Sequence, residues 1–142
     1  MARAKANPTA EPEMKKASLE QLIKKKLERD GQRNATKEIF VKSLDSYITV
    51  SNPSDTARIE FADKTKTGSY IDMMEAYSKL IYDNCAILHS KKLQESIEVD
   101  YPYDTVKAIF TTDEIAEIGV QVLNFFDEDA DESEEADEKI KN

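Results

Sequence analysis

The sequence predicts an α+β fold that is mostly α: one small helical domain over residues 18–126, with a single β-hairpin in its N-terminal half at about 37–51. Apolar residues recur every three or four positions through most of this range, which is typical of amphipathic helices. Two runs of β-branched and aromatic residues interrupt that period at the hairpin. The 142 residues leave room for one hydrophobic core with tails.

Both ends of the chain differ from this middle part. Residues 1–17 contain Pro8 and Pro12 and hardly any apolar side chain, so burial could not offset the entropy lost on ordering, and we expect a disordered arm. Residues 127–142 are dominated by carboxylates, whose mutual repulsion predicts a disordered acidic tail. Its leading acidic residues are Asp127, Glu128, Asp129, Asp131, Glu132, Glu134 and Glu135.

The first predicted helix follows Ser18, whose hydroxyl is suited to cap it, and Gly31 is expected to end it. Its apolar residues fall on one helical face. They are Leu19, Leu22, Ile23 and Leu27. This face either docks on the core of the same chain or reaches a partner, so its four residues are the first candidates for a partner-binding surface.

The hairpin is predicted from Glu38–Lys42 and Tyr47–Val50, which Ser43–Ser46 would join. Because two strands alone are marginally stable, this hairpin must pack on helices. Asn52 before Pro53 then predicts the cap and first position of a helix that fades before residue 68.

The clearest periodic signal predicts a central helix from Tyr70 to Leu88. Its face holds Met73, Met74 and Tyr77, among others. Such residues usually belong to a core, but methionine-rich helical faces also bind partner helices adaptably. These three are therefore a second set of candidate partner-binding residues.

Capping patterns predict the remaining helices. Ser90 is placed to start a short helix, and Asp104 is placed to cap the next one after the break at residues 101–103. Thr111 and Glu114 have the spacing of a capping box, which predicts a last amphipathic helix ending near Phe126.

No catalytic or metal site is predicted, and neither is a cofactor. Cys85 and His89 stand four apart on the predicted central helix, but nothing there exposes the sulfur, and two ligands are too few for zinc. The tail matches part of a calcium-loop pattern, with Glu132 at the position where the sharp turn requires glycine. The pattern's acidic positions are Asp127, Asp129, Asp131 and Glu138.

Charge and hydropathy bear on the class of partner. The net charge of −9 argues against nucleic acid, whose binding draws on a basic surface, although the basic N-terminal segment leaves a small DNA-binding accessory protein as an alternative. No stretch approaches the roughly 18–20 apolar residues of a membrane helix. We therefore expect a non-enzymatic protein that binds another protein and has no membrane partner.

Three segments carry a family resemblance. Residues 80–88 (LIYDNCAIL), 91–95 (KKLQE) and 102–110 (PYDTVKAIF) resemble the XkdN-like family of phage tail assembly chaperones, and the order of elements over 18–126 is similar too. Ala86 stands where proline is more usual in the family, and residues 52–68 are less typical.

This resemblance implies a protein from the tail module of a phage or prophage that acts in the cytoplasm of the bacterial host and is absent from the mature virion. Such chaperones bind the tape measure protein, a long helical polypeptide, and help to recruit tail-tube subunits around it. Self-association is a further expectation to be tested. The alternative within the same setting is a structural component that stays in the tail.

Overall fold

A computed structural model describes residues 14–127, and it confirms the predicted class: within that range the chain forms six α-helices and one two-stranded antiparallel sheet. The helices and strands are α1 (Leu19–Arg33), β1 (Thr36–Val41), β2 (Ser46–Ser51), α2 (Asp55–Thr65), α3 (Tyr70–Asp83), α4 (Lys91–Ser96), α5 (Asp104–Ile109) and α6 (Thr112–Leu123). Short 3-10 turns occupy Lys42–Leu44 and Ala86–His89.

The chain divides into two units, residues 1–31 and 32–142. Of the predicted disordered ends, residues 1–13 of the arm and 128–142 of the tail lie outside the described residues. Within the described range, no helix combines the length and apolar character that crossing a membrane requires.

The first unit contains most of α1. Ser18 caps this helix as predicted: its Oγ accepts from the Gln21 N–H (3.1 Å), and Gln21 Oε1 accepts from the Ser18 N–H (2.8 Å). The prediction that Gly31 ends the helix is wrong, because α1 continues to Arg33. Glycine inside a helix costs only about 1 kcal/mol, which is too little to stop it here.

The second unit opens with the predicted hairpin, whose strands pair in the register Ile39↔Ile48 and Phe40↔Tyr47. Asp45 has a φ of 50°, and its N–H donates to the Lys42 carbonyl (3.1 Å), which closes the turn between the strands. Aspartate tolerates this left-handed conformation better than most residues. The inner face of the hairpin is buried in the core. This burial supplies the stability that a two-stranded hairpin lacks by itself.

The start of α2 differs from the prediction that Asn52 is its cap. Ser54 is the cap, and its Oγ accepts from the Ala57 N–H (3.0 Å). The Asn52 side chain is engaged elsewhere, since its Oδ1 accepts from Arg58 (2.6 Å). Pro53 therefore precedes the helix instead of opening it.

Helix α3 is the centre of the second unit and packs against α2, α5 and α6. The prediction that it runs to Leu88 is wrong, since α3 ends at Asp83. Asn84 follows, and its side-chain Nδ2 donates to the Leu80 carbonyl (2.8 Å), so the side chain competes with the backbone for helical acceptors. Both Cys85 and His89 therefore lie beyond the helix. Cys85 caps the 3-10 turn that follows, and His89 is the last residue of that turn.

The last three helices agree with most of the capping predictions. Ser90 caps α4, and Thr111 and Glu114 form the complete capping box of α6. Asp104 is the first residue of α5 and not its cap, which is Tyr103. Helix α6 ends at Leu123, three residues before the predicted end near Phe126, and residues 124–126 form a turn.

The core of the second unit combines the inner face of the hairpin with one face each of α3, α5 and α6. Helices α3 and α6 are in close contact at Gly119: a Cβ built there would lie 3.0 Å from the Cβ of Tyr77 and would overlap its ring. Tyr77 in turn packs on Phe61 of α2, with 5.0 Å between ring centroids. The absence of a side chain at residue 119 thus sets the spacing of three helices.

We predict that Gly119→Ala lowers the free energy of unfolding by about 1–3 kcal/mol, because the added methyl group overpacks the contact with Tyr77. Urea unfolding followed by circular dichroism measures this change. The matched control is Gly31→Ala in α1, where nothing lies within 4 Å of the added Cβ. This variant should be at least as stable as the parent, because alanine has the higher helix propensity. A Gly119→Ala protein as stable as the parent would contradict the close helix contact.

We also predict that the capping box makes stability depend on pH. Hydrogen bonds from the Ser43 hydroxyl and then from the Thr111 N–H hold the pKa of Glu114 below its ordinary value of 4.5. A carboxyl group whose pKa is lower in the folded state stabilises the fold above its unfolded pKa and loses that effect as pH falls through the folded pKa.

The stability difference between the parent and Glu114→Gln should therefore be largest near neutral pH and shrink as pH falls below 4.5. Urea unfolding of both proteins across this range measures the difference. Asp113→Asn, on the same first turn, is the control for the general helix-dipole effect of a carboxylate. A difference that stays constant with pH would contradict the assigned hydrogen bonds.

Candidate partner-binding surface

The four apolar residues predicted on the first helix form an exposed strip along α1. We call Leu19, Leu22, Ile23 and Leu27 the α1 stripe; their exposed fractions are 73%, 57%, 52% and 63%. Helix α1 has no buried residue at all. At 100° per residue the four side chains fall within one sector of the helix, so they form a continuous apolar surface about 12 Å long.

The stripe is bounded by charge. Lys26 and Asp30 lie in the same sector as the stripe, and their ion pair (2.5 Å, i to i+4) places charge beside and beyond Leu27. Lys24 and Lys25 lie outside this sector, one on either side of it, with Glu28 between them on the opposite face of the helix. An apolar strip of about two turns with charged borders suits a partner helix of similar amphipathic character.

In the second set of predicted candidates, Met74 and Tyr77 take part in packing. Met74 is buried with only 8% of its surface exposed, and Met73 is half-buried. Tyr77 contacts Phe61 and fills the space left by Gly119, and burial raises the pKa of its hydroxyl. The core interpretation of this face therefore accounts for Met74 and Tyr77, and the two side chains are committed to holding helices together.

Most of the predicted acidic tail lies outside the described residues. Asp127 is the last described residue; it is exposed, and its N–H donates to the Asn124 carbonyl (2.8 Å). The other predicted tail residues lie outside the described part of the chain. They are Glu128, Asp129, Asp131, Glu132, Glu134 and Glu135. The calcium-loop pattern lies outside it too, apart from its first position.

Cys85 and His89 are both engaged in packing. Cys85 is fully buried, and this burial raises the pKa of its thiol, which keeps the sulfur protonated. The His89 ring stacks on Tyr82 with 4.2 Å between centroids, and its Nε2 lies 2.6 Å from the Tyr82 carbonyl oxygen. Because a carbonyl only accepts, Nε2 carries the hydrogen of this bond.

Metal ligands do not gather in the described part of the chain. Among residues 14–127, no three or more His, Cys, Asp or Glu side chains are arranged to hold a metal ion.

Two surface features were not predicted from the sequence. A groove of about 630 Å³ opens between α2, α3 and α5 in the second unit. On the outer face of the hairpin, Phe40 and Tyr47 are exposed and contact each other edge-on, with 5.2 Å between centroids. Strand alternation could have indicated the aromatic pair, whereas the groove draws on three separate segments and leaves no local signal.

We predict that the double substitution Leu22→Gln and Leu27→Gln leaves the thermal unfolding midpoint unchanged, because exposed apolar side chains contribute little to folding. Leu80→Ala is the comparison, since this buried side chain should cost about 2–5 kcal/mol. Thermal denaturation followed by circular dichroism distinguishes them. A large loss in the double variant would mean that the α1 stripe is part of a core.

Comparison with models of protein families, with curated proteins and with solved structures finds no match. The surfaces described above and the chemistry of their side chains are thus the observations on which a functional proposal rests.

Proposed function

We propose that this chain is a non-enzymatic phage or prophage tail assembly chaperone that binds the tape measure protein and helps to recruit tail-tube subunits. The single observation that carries the proposal is the exposed α1 stripe, four large apolar side chains on a helix without any buried residue. The family resemblance of residues 80–110 supplies the class of partner.

The physical need for such a protein is clear. A very long amphipathic helix that is made before its tube exposes an apolar strip along its whole length, and such strips aggregate. A small protein with a complementary apolar strip can cover one part of it in a helix-to-helix contact. Many copies are then needed to cover the whole length.

The size of the stripe predicts weak binding by each copy. Fully burying one Leu or Ile side chain contributes about 1.5–3 kcal/mol, so covering these four partly exposed ones contributes on the order of 4–8 kcal/mol. Association itself costs roughly 4–15 kcal/mol. One stripe alone therefore gives a short-lived contact, which suits a chaperone that tube subunits must displace.

The direct test is co-expression with fragments of a tape measure protein. The parent chain should keep a fragment soluble and copurify with it, whereas Leu22→Gln with Leu27→Gln should lose both effects because the apolar contact is removed. Lys24→Gln with Lys25→Gln is the matched control: it changes two residues on the flank of the same helix and should retain the fragment.

Two outcomes would contradict the proposal. One is failure of the parent chain to retain any fragment along the whole tape measure protein. The other is equal loss in the stripe variant and the flank variant, which would assign binding to the basic charge of α1. Mass spectrometry of purified particles separates a chaperone, expected to be absent from the virion, from a structural tail component.

A further inference from the structure

The groove between α2, α3 and α5 has an apolar floor. Phe61 of α2 together with Ala76 and Leu80 of α3 form part of its lining. Ala76 and Leu80 are buried and Phe61 is half-buried, so the floor belongs to the packed part of the second unit. None of the residues that line the groove belongs to α1.

The rim of the groove is acidic. Five carboxylates and three ammonium groups line it, which gives a net charge of −2. The carboxylates are Glu60, Asp63, Glu75, Asp83 and Asp104. An apolar floor below an acidic rim is complementary to an apolar strip with basic borders.

Two of the lysines are already neutralised inside the groove. Lys64 pairs with Glu75 (3.1 Å), and its pKa is raised first by that hydrogen bond and then by the charge of Asp72. Lys79 pairs with Asp83 (2.7 Å) and lies 5.3 Å from the Tyr103 ring centroid. Asp63 pairs with Lys66 outside the lining (3.6 Å), and Lys107 lies one turn after Asp104 on α5, so the lining keeps a modest excess of negative charge.

We propose that this groove binds a helical segment of the client protein that carries an apolar strip bordered by lysine or arginine. The identity of the client rests on the proposed function, while the preference for a basic amphipathic helix rests on the groove alone. Its lining spans residues 57–64 of α2 and 75–83 of α3, which is about 10–12 Å, or two turns of a bound helix.

Binding in the groove would also strengthen the weak contact that the α1 stripe makes alone. Because the α1 stripe alone gives a short-lived contact, binding of a second client segment by the same chain raises the overall affinity through effective concentration. The rim charges add specificity and on-rate more than affinity. The groove therefore selects which segments of a long client are held.

The experiment uses the full chain and three fluorescein-labelled 14-residue peptides, read by fluorescence anisotropy. The first has leucines at spacings of three and four with lysines elsewhere, the second replaces lysine by glutamate, and the third is a scrambled leucine and lysine peptide without an apolar face. The first should bind about tenfold more tightly than either of the others, and added salt should weaken it.

Charge reversal locates the binding. Glu60→Lys with Asp63→Lys, both exposed on the rim, should weaken the first peptide about tenfold. Asp100→Lys with Glu117→Lys reverses two exposed carboxylates outside the groove and should leave binding within about twofold. Circular dichroism verifies that both variants fold.

The outcomes are distinct. Equal weakening by both reversals, or equal binding of the ordered and scrambled peptides, would assign binding to overall negative charge and overturn the proposal. Binding that is lost in the α1 stripe variant instead of the rim variant would overturn it as well. None of these measurements uses a tape measure fragment, so the groove and the proposed function can fail independently.

Discussion

The close contact between α3 and α6 at Gly119 is the constraint on which the rest of the second unit depends. With no side chain at residue 119, the ring of Tyr77 fits against the backbone of α6, and its other side packs on Phe61 of α2. The capping box at Thr111 fixes where α6 begins. Glycine in this helix costs about 1 kcal/mol of intrinsic propensity, which the packing of three helices more than offsets.

This packing decides which surfaces are available for binding. Met74 packs in the core, and Tyr77 packs in the contact between helices. The α1 stripe stays exposed, and the groove beside α3 combines an apolar floor with an acidic rim. Each of these two surfaces is complementary to an amphipathic helix, and neither alone is large enough for lasting attachment.

The sequence predicted whatever is decided by local chemistry. The hairpin follows from residue types alternating over a few positions, and the caps at Ser18, Ser90 and Thr111 follow from hydroxyl groups next to periodic segments. Two of the errors arose at polar side chains. Asn84 ends α3 by donating to a backbone carbonyl within an otherwise helical pattern, and Ser54 caps α2 in place of Asn52. The groove was missed because it exists only after three helices have packed.

In the proposed function, the exposed face of α1 carries the contact with the client. Amide hydrogen exchange of the full chain, with and without a bound tape measure fragment, tests this claim most directly. We expect residues 19–27 to exchange more slowly in the complex, while the amides facing the α3–α6 contact keep the protection they already have. A stable complex in which residues 19–27 exchange as fast as in the free chain would contradict the claim.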